Sequence, residues 1–422
     1  MIDPAVLRHV ILDNRERIRN ACVFERQFET AKGNCCIYTG GKYSGKTYAL
    51  YQKIQAALAS GIDLTDIVYV NFEDPRLRNF EFADFERLLD AHRFLSRTQN
   101  PPMLFLDEIH LADHWQKFIR QMRKAGLRIH ATSSRTSLLT EDAVAKLGKG
   151  VRVVRVLPPD FRERLAMKGI SHDAAALDDT LQSGKIAREF LDYLDNGGFL
   201  RVVVDPDPNV IHEIFNHDYF GDMVQRYAVS MPDAFLLLLR LVAQNIGQAL
   251  SFTRLARMLD DADAHLAKTT VIGYVENAID AGLLLPIRNY AVKLDGKESV
   301  PKYYFVDNGI LSLLKPEISK SSFENIVALE LMRRYGTSDQ VFFWKKKAAV
   351  DFYVPAQKLA VSVATDSDML KEKPEALVNA AKILPCRKLL LLTAGADEGT
   401  LVIGDYTVDV MPIWKWLLNS EN

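Results

Sequence analysis

At 422 residues the chain is too long for one hydrophobic core, and roughly two to four domains are expected. Hydrophobic residues at 48% and charged residues at 25% are the proportions of a soluble globular protein. With 53 basic and 54 acidic residues the net charge is −1, so no global basic field draws in nucleic acid, and any such binding must use a local patch.

The cysteines are Cys22, Cys35, Cys36 and Cys386, and none forms a C-x-x-C pair. Cys35 and Cys36 fall in one predicted strand, where neighbours point to opposite faces, so packing explains them better than ligation or a disulfide. A reducing cytoplasm fits this usage. The first 20 residues are rich in charge and lack the apolar core of a signal peptide. The most apolar run, Ala234 to Val242, is far short of the roughly 20 residues of a bilayer span, and Arg240 interrupts it. No membrane association is expected.

Residues 14–30 read as an amphipathic helix. A β-type run, Cys36 to Tyr38, then enters Gly40-Gly41-Lys42-Tyr43-Ser44-Gly45-Lys46-Thr47-Tyr48, and a helix-forming run follows to Leu58. Gly40, Gly45, Lys46 and Thr47 match G-x-x-x-x-G-K-[ST]. Glycines let the backbone curl with its N–H groups inward, and a helix starting near Gly45 adds its positive end, making an anion site. Lys46 is suited to β- and γ-phosphates and the Thr47 hydroxyl to Mg²⁺. ATP with Mg²⁺ is the expected ligand.

Ile67 to Phe72 reads as the next strand, and Phe82 to Leu95 as a helix. Met103-Leu104-Phe105-Leu106-Asp107-Glu108 reads as a buried parallel strand delivering two acids at its C-terminal end. In a P-loop ATPase, Asp107 holds Mg²⁺ through water and Glu108 polarises the attacking water. A fourth strand, Leu127 to Thr132, ends in Ser133 and Ser134. Two readings stand for these hydroxyls: sensing the γ-phosphate, or capping the next helix. Strands alternate with helices through residue 157, which predicts an α/β fold, the doubly wound parallel sheet of P-loop NTPases.

Together with these motifs, Val70-Asn71-Phe72-Glu73-Asp74-Pro75-Arg76, Leu157 to Glu163, Tyr193 to Phe199, Tyr303 to Gly309 and Glu324 to Leu331 give the chain a resemblance over nearly its whole length. It resembles the prokaryotic AAA-type ATPases whose C-terminal half is an uncharacterised restriction-endonuclease-like domain. Where that family usually carries Pro and Arg after the first glycine, Gly41-Lys42-Tyr43 stands here. Its usual Gly-Arg pair before the last strand is nearest matched by Gly150-Val151-Arg152. Arg152 is thus the candidate arginine finger, the other reading being a plain surface arginine.

The expected organisation is an ATPase domain at 1–158, a helical lid or linker at 159–230, a winged-helix region at 231–300 and a restriction-endonuclease-like α/β domain at 301–422. Within the linker, Gly197-Gly198 suggests a hinge. In the winged-helix region the helices are Ala234 to Gln244, Phe252 to Leu259 and Thr270 to Ala281. Leu283 to Ile287 and Tyr290 to Leu294 would form the wing. The third helix carries Glu276 and Asp280, which oppose phosphate contacts, so a packing or protein-docking role stands beside DNA readout.

Nucleases of the resembled class hold Mg²⁺ with one acid on an early strand and an E-x-K tripeptide on the next. Asp351 occupies the first position, and Glu324 adds an acid from a helix. The tripeptide position reads Ser362-Val363-Ala364, which supplies neither carboxylate nor ammonium. A nuclease-like fold without nuclease activity is therefore expected, with Glu324 and Asp351 as its vestige. Lys345-Lys346-Lys347 suits either a phosphate backbone or a solvated turn. The function implied is an ATP-hydrolysing switch or motor coupled to C-terminal binding domains. The alternative is a nucleotide-regulated module with negligible turnover that binds DNA or a protein. A homo-oligomer is implied if an arginine acts in trans.

Overall fold

Apolar runs in the first 157 residues become the strands of one sheet in the computed structural model, which describes the chain except for residues 22, 27–32, 99, 140, 206, 292–298, 337–339, 347, 396–397 and 420–422. For 139, 141 and 174 the backbone alone is described. The chain divides into two compact units, Met1–Leu157 with Asp280–Gly282, and Pro158–Ile279 with Leu283–Asn422.

In the first unit β1 (Cys35–Thr39), β2 (Ile67–Asn71), β3 (Met103–Asp107), β4 (Ile129–Ser133) and β5 (Arg152–Arg155) are parallel, in the order β2-β3-β4-β1-β5. Strands β1 to β4 are buried along their length, save Asn71 at the end of β2, because helices cover both faces. Alternation sorts β1 as expected: Cys35 and Ile37 join the core with Leu7, Phe85 and Phe118, while Cys36 and Tyr38 join the other with Leu50 and Ile54. Phe85 and Phe118 stack at 3.9 Å and 9° within the first core. The order matters for function: β4 lies between β1 and β3, so its end stands between the phosphate loop and the acid pair.

The N-terminal helix is Pro4–Asn20, capped by Asp3 through the Ala5 N–H. It begins and ends earlier than the expected 14–30, whose residues 22 and 27–30 lie outside the described residues.

The second unit opens with helices, among them Phe161–Met167, with an Asp160/Glu163 capping box, and Thr180–Asn196. The expected helix from Val210 to Tyr227 is wound as a π-helix over Ile214–Gly221. Gly197-Gly198, read as a hinge, is instead pinned: Gly198 N–H donates to buried Asp307 at 2.8 Å, and Arg164 Nη1 donates to Gly197 O at 2.5 Å.

Helices Pro232–Gln244, Phe252–Asp260 and Lys268–Asp280 follow, then β6 (Leu284–Asn289). The partner of β6 in an antiparallel hairpin is β7 (Lys302–Phe305), not Tyr290 to Leu294. Tyr290 and Ala291 are helical, and 292–294 lie outside the described residues.

Strand β6 also pairs with β8 (Phe342–Lys345), which makes the hairpin one edge of an eight-stranded sheet. Its further strands are β9 (Ala349–Val354), β10 (Leu359–Ala364), β11 (Lys388–Thr393), β12 (Gly399–Ile403) and β13 (Tyr406–Pro412). Strands β8 to β10 form an antiparallel meander. The helix Ser367–Ala381 then crosses over to bring β11 parallel to β10.

Candidate phosphate and acid-pair site

The phosphate loop joins β1 to the helix Lys46–Ala59. Two of its glycines are required by space or conformation. A Cβ on Gly40 would stand 2.1 Å from Val156 O, just past the end of β5, the strand beside β1. Gly45 has φ +97°, the left-handed region, and a Cβ there would meet Arg26 Nη1 at 2.4 Å. Arg26 is a site residue that sequence reasoning missed. Its guanidinium donates to Ser44 O at 2.6 Å and to Leu157 O at 3.0 Å, tying the loop to the end of the unit. No motif marks it, because it lies outside the loop, 18 residues before Ser44.

Gly41 O accepts the Lys46 ammonium at 2.9 Å. Lys42 and Tyr43 form the tip, Tyr43 in the left-handed region with φ 57°. Tyr48, one turn on, lines a recess of about 560 Å³ with Tyr51, Asn20 and Arg17. The first turn of the helix presents Thr47, whose hydroxyl donates to Asp107 Oδ2 at 2.9 Å. Thus β1 and β3, separated by a strand, deliver a hydroxyl and a carboxylate to one point.

Asp107 is buried and receives three hydroxyls. Thr47 and Tyr69 bond Oδ2, at 2.9 and 2.8 Å, and Thr132 bonds Oδ1 at 2.5 Å. Burial, then the charge of Glu108, pushes its carboxyl up, and these three hydrogen bonds oppose the rise. A divalent cation beside it would favour the carboxylate further.

Glu108 has φ 50° and ψ 45°, a strained backbone for a non-glycine residue. Its Oε1 lies 3.4 Å from Lys46 Nζ, and its Oε2 accepts the Ser134 N–H at 2.8 Å. Burial alone would raise its carboxyl. Lys46, His110 and Ser134 outweigh that and hold it below the ordinary value. Glu73 stands nearby: burial, then the charge of Glu108, raises its carboxyl against the pull of Lys42.

Among the described residues no three His, Cys, Asp or Glu side chains are grouped to enclose a metal. One hydroxyl and one carboxylate are nevertheless the donor set that suits Mg²⁺, which keeps waters and takes its remaining ligands from substrate phosphates. The residues fit that ion.

Residues 32–165 match the family model described as AAA domain. The first unit has an AAA-type, nucleotide-binding P-loop fold. Residues 187–321 match a second model, Domain of unknown function (DUF8612). An uncharacterised protein of Methanocaldococcus jannaschii is 27% identical over 439 aligned residues, covering 99% of this chain and 96% of that protein. Another, from Haemophilus influenzae, is 26% identical, covering 90% and 94%. Among solved structures, the Aeropyrum pernix ORC1 protein in complex with DNA aligns at 15% identity over 77% of this chain and 93% of that one. Its TM-score of 0.29 is too low to bear on this chain's fold or function.

The remaining candidates of the AAA unit separate. Ser134 reaches the site through its N–H at 2.8 Å and through its side chain, both on Glu108. The Ser133 hydroxyl accepts the Arg135 N–H at 3.1 Å, which is the local turn bond of the capping reading. Thr132, not singled out from sequence, is the residue on both acids: it donates to Asp107 and accepts the Glu108 N–H at 2.8 Å. Arg152 is exposed and pairs in register with Cys36, near the start of β1, whereas the loop leaves the other end of that strand. The fold does not bring Arg152 to its own chain's phosphate loop.

In the second unit Glu324 and Asp351 are both buried, on the Lys320–Tyr335 helix and on β9. Each already has a cation. Lys302, on β7, donates to Glu324 Oε1 at 3.1 Å, and Tyr304 adds a hydroxyl at 2.8 Å. Lys373, on the crossover helix, reaches both Asp351 oxygens at 2.8 and 2.7 Å, and Val363 N–H donates to Oδ2 at 2.9 Å. Burial would raise Asp351; Lys302 and Lys373 outweigh it and lower its carboxyl. The buried Ser362 hydroxyl is the only polar side-chain group that the tripeptide position offers. Two carboxylates neutralised by two ammonium groups do not fit a divalent ion, and no nuclease step is derived from them.

No helix among the described residues is long and apolar enough to cross a membrane.

Proposed function

We propose that the AAA unit binds MgATP and hydrolyses it, acting as a switch or motor for the second unit. The observation that carries this reading is the meeting of four side chains at the C-terminal ends of parallel strands. Thr47 meets Asp107 at 2.9 Å, and Lys46 meets Glu108 at 3.4 Å, beside the glycine-bearing loop at the start of the Lys46–Ala59 helix.

In this reading the loop from Gly40 to Thr47 cradles the phosphates, and Lys46 moves onto the β- and γ-oxygens. Thr47 and Asp107 would hold a divalent cation, which would supply positive charge against the charge developing on the phosphates. Glu108 accepts a hydrogen bond from water and aligns it with the γ-phosphorus. Thr132, bonded to both acids, fixes their relative placement.

The second unit serves as a binding platform for DNA or a protein in this reading. Its helical triplet and hairpin suit a winged-helix contact, and its larger sheet with the Glu324 and Asp351 cluster suits a nuclease-like fold without the nuclease's metal. A reading with negligible turnover draws on one observation, the pairing of Lys46 with Glu108, which occupies the two groups that hydrolysis needs.

Steady-state phosphate release separates the two. Measured against protein concentration, with and without DNA, it also tests self-assembly and coupling to nucleic acid. Turnover lost in Lys46→Ala and Glu108→Gln supports hydrolysis at this site. Normal turnover in both variants would exclude it.

A further inference from the structure

His110 is a buried side chain of the AAA unit with no role in the reading above. It sits on the short 3-10 turn Ile109–Leu111, directly after the acid pair. Its side chain is 4% exposed, and its Nδ1 lies 3.3 Å from Glu108 Oε2. The same oxygen accepts the Ser134 N–H at 2.8 Å, while Oε1 faces Lys46 at 3.4 Å.

The Glu108 carboxylate is therefore gripped from two sides by groups with different fates. A phosphate-loop lysine is drawn onto the β- and γ-oxygens when nucleotide binds. Lys46 then releases Oε1, the oxygen that must receive water. The backbone N–H of Ser134 and the imidazole of His110 stay with Oε2, since neither belongs to the loop. A carboxylate held by one bond alone swings about its terminal torsion, which is broad and two-fold. Two holders on a single oxygen fix it.

We propose that His110 is the positioning residue for Glu108. With its proton on Nδ1 it faces Oε2 across a 3.3 Å polar contact and, with the Ser134 N–H hydrogen bond to the same oxygen, leaves Oε1 as the oxygen turned towards the attacking water. The inference rests on the hydrolytic reading of the site. It assigns His110 no contact with nucleotide, so its loss should act on turnover and not on binding.

The substitutions follow from atom placement. Asn has an amide nitrogen the same number of bonds from Cα as His Nδ1, so His110→Asn keeps a donor towards Oε2. His110→Leu fills the space without one. The full chain and both variants are compared for kcat and KM with MgATP, and for affinity towards a fluorescent ADP. His110→Leu is expected to lower kcat about 10- to 100-fold, part of the roughly 10²–10⁴-fold that a positioned base contributes. KM and ADP affinity should stay within about twofold, as expected for an interaction felt only in the transition state. His110→Asn should recover most of the lost kcat.

A His110→Leu chain as fast as wild type overturns the inference while leaving the hydrolytic reading in place. So does a folded His110→Asn chain as slow as His110→Leu. Absence of turnover in the wild-type chain overturns the hydrolytic reading instead, and this inference with it.

Discussion

Lys46 and Glu108 compete with any phosphate for each other. The ammonium lies 3.4 Å from Oε1 and donates to Gly41 O at 2.9 Å, with both side chains buried. A triphosphate must draw Lys46 off a carboxylate before it can bind fully. Glu108→Gln removes that competing charge and also removes the group that orients water. It should bind a non-hydrolysable ATP analogue severalfold more tightly, while phosphate release falls about 10²–10³-fold. Calorimetry and a phosphate assay check the two halves. An affinity unchanged or weakened in the variant would mean that the pair does not oppose binding.

The placement of Thr132 predicts that its hydroxyl, and not that of Ser133, is the one at the end of β4 on which the acid pair depends. Thr132 bonds Asp107 and the Glu108 N–H, whereas the Ser133 hydroxyl serves its own turn. Thr132→Val keeps the shape and removes the hydroxyl, leaving two buried partners short of a hydrogen bond, at about 1–3 kcal/mol each. Turnover should fall at least about tenfold and require more Mg²⁺ for half-maximal rate. Ser133→Ala should stay within about twofold of wild type. The Mg²⁺ titration of both variants decides between the two residues, and the reverse ranking would refute the assignment.

That contrast shows which parts of the site a sequence carries openly. The phosphate loop is legible because chemistry restricts it: only glycine fits against Val156 O at position 40, and a Lys followed by a hydroxyl residue, here Thr, supplies the two required groups. Asp107 and Glu108 are legible because four apolar residues precede them. Thr132 is not, because its role depends on β4 entering the sheet between β1 and β3, a matter of topology and not of spacing. The hairpin partner of β6 was misplaced for a related reason. Tyr290 to Leu294 is closer in sequence and more apolar, but the strand that pairs is Lys302–Phe305. The cations on Glu324 and Asp351 come from β7 and the crossover helix, 22 residues away in each case, where no tripeptide pattern could mark them.

His130 on β4 makes the AAA unit sensitive to acid. Its ring stacks on Phe105, 5.3 Å between centroids at 18°, and lies parallel to Tyr38 at 6.4 Å and 20°. Burial, then the charges of Lys53 and Arg128, lowers its pKa to about 4. A depressed folded pKa means that the unfolded chain binds the proton first. The stability in question is complete above about pH 6.5 and is lost as pH falls towards about 4. The full effect is about 3 kcal/mol. His130→Phe keeps the stack and cannot titrate. Hydrogen exchange of the β1 and β4 amides between neutral pH and pH 4.5, roughly the lower end of that window, should show wild type losing protection relative to the variant. Parallel pH profiles would show that His130 is not the cause.

The ammonium groups of the second unit predict a structural cost with a distinctive cure. Lys302 and Glu324 are 9% and 2% exposed, and Lys302 also lies over the Phe343 and Phe352 rings at 5.2 and 5.9 Å. Lys302→Met preserves the contact with those rings but strands a buried carboxylate, whose remaining described side-chain partner is the Tyr304 hydroxyl. Breaking such a pair from one side costs about 3–5 kcal/mol, whereas replacing both members is often nearly neutral. Lys302→Met should therefore unfold at clearly lower urea, and Lys302→Met with Glu324→Gln should recover most of the loss. Mg²⁺ or Mn²⁺ should leave the wild-type melting temperature of this unit unchanged, because the ammonium groups already neutralise the acids. If instead the single variant is as stable as wild type, or if Mn²⁺ raises the wild-type melting temperature in a manner abolished by Asp351→Asn, the acids are available to a metal and the nuclease question reopens.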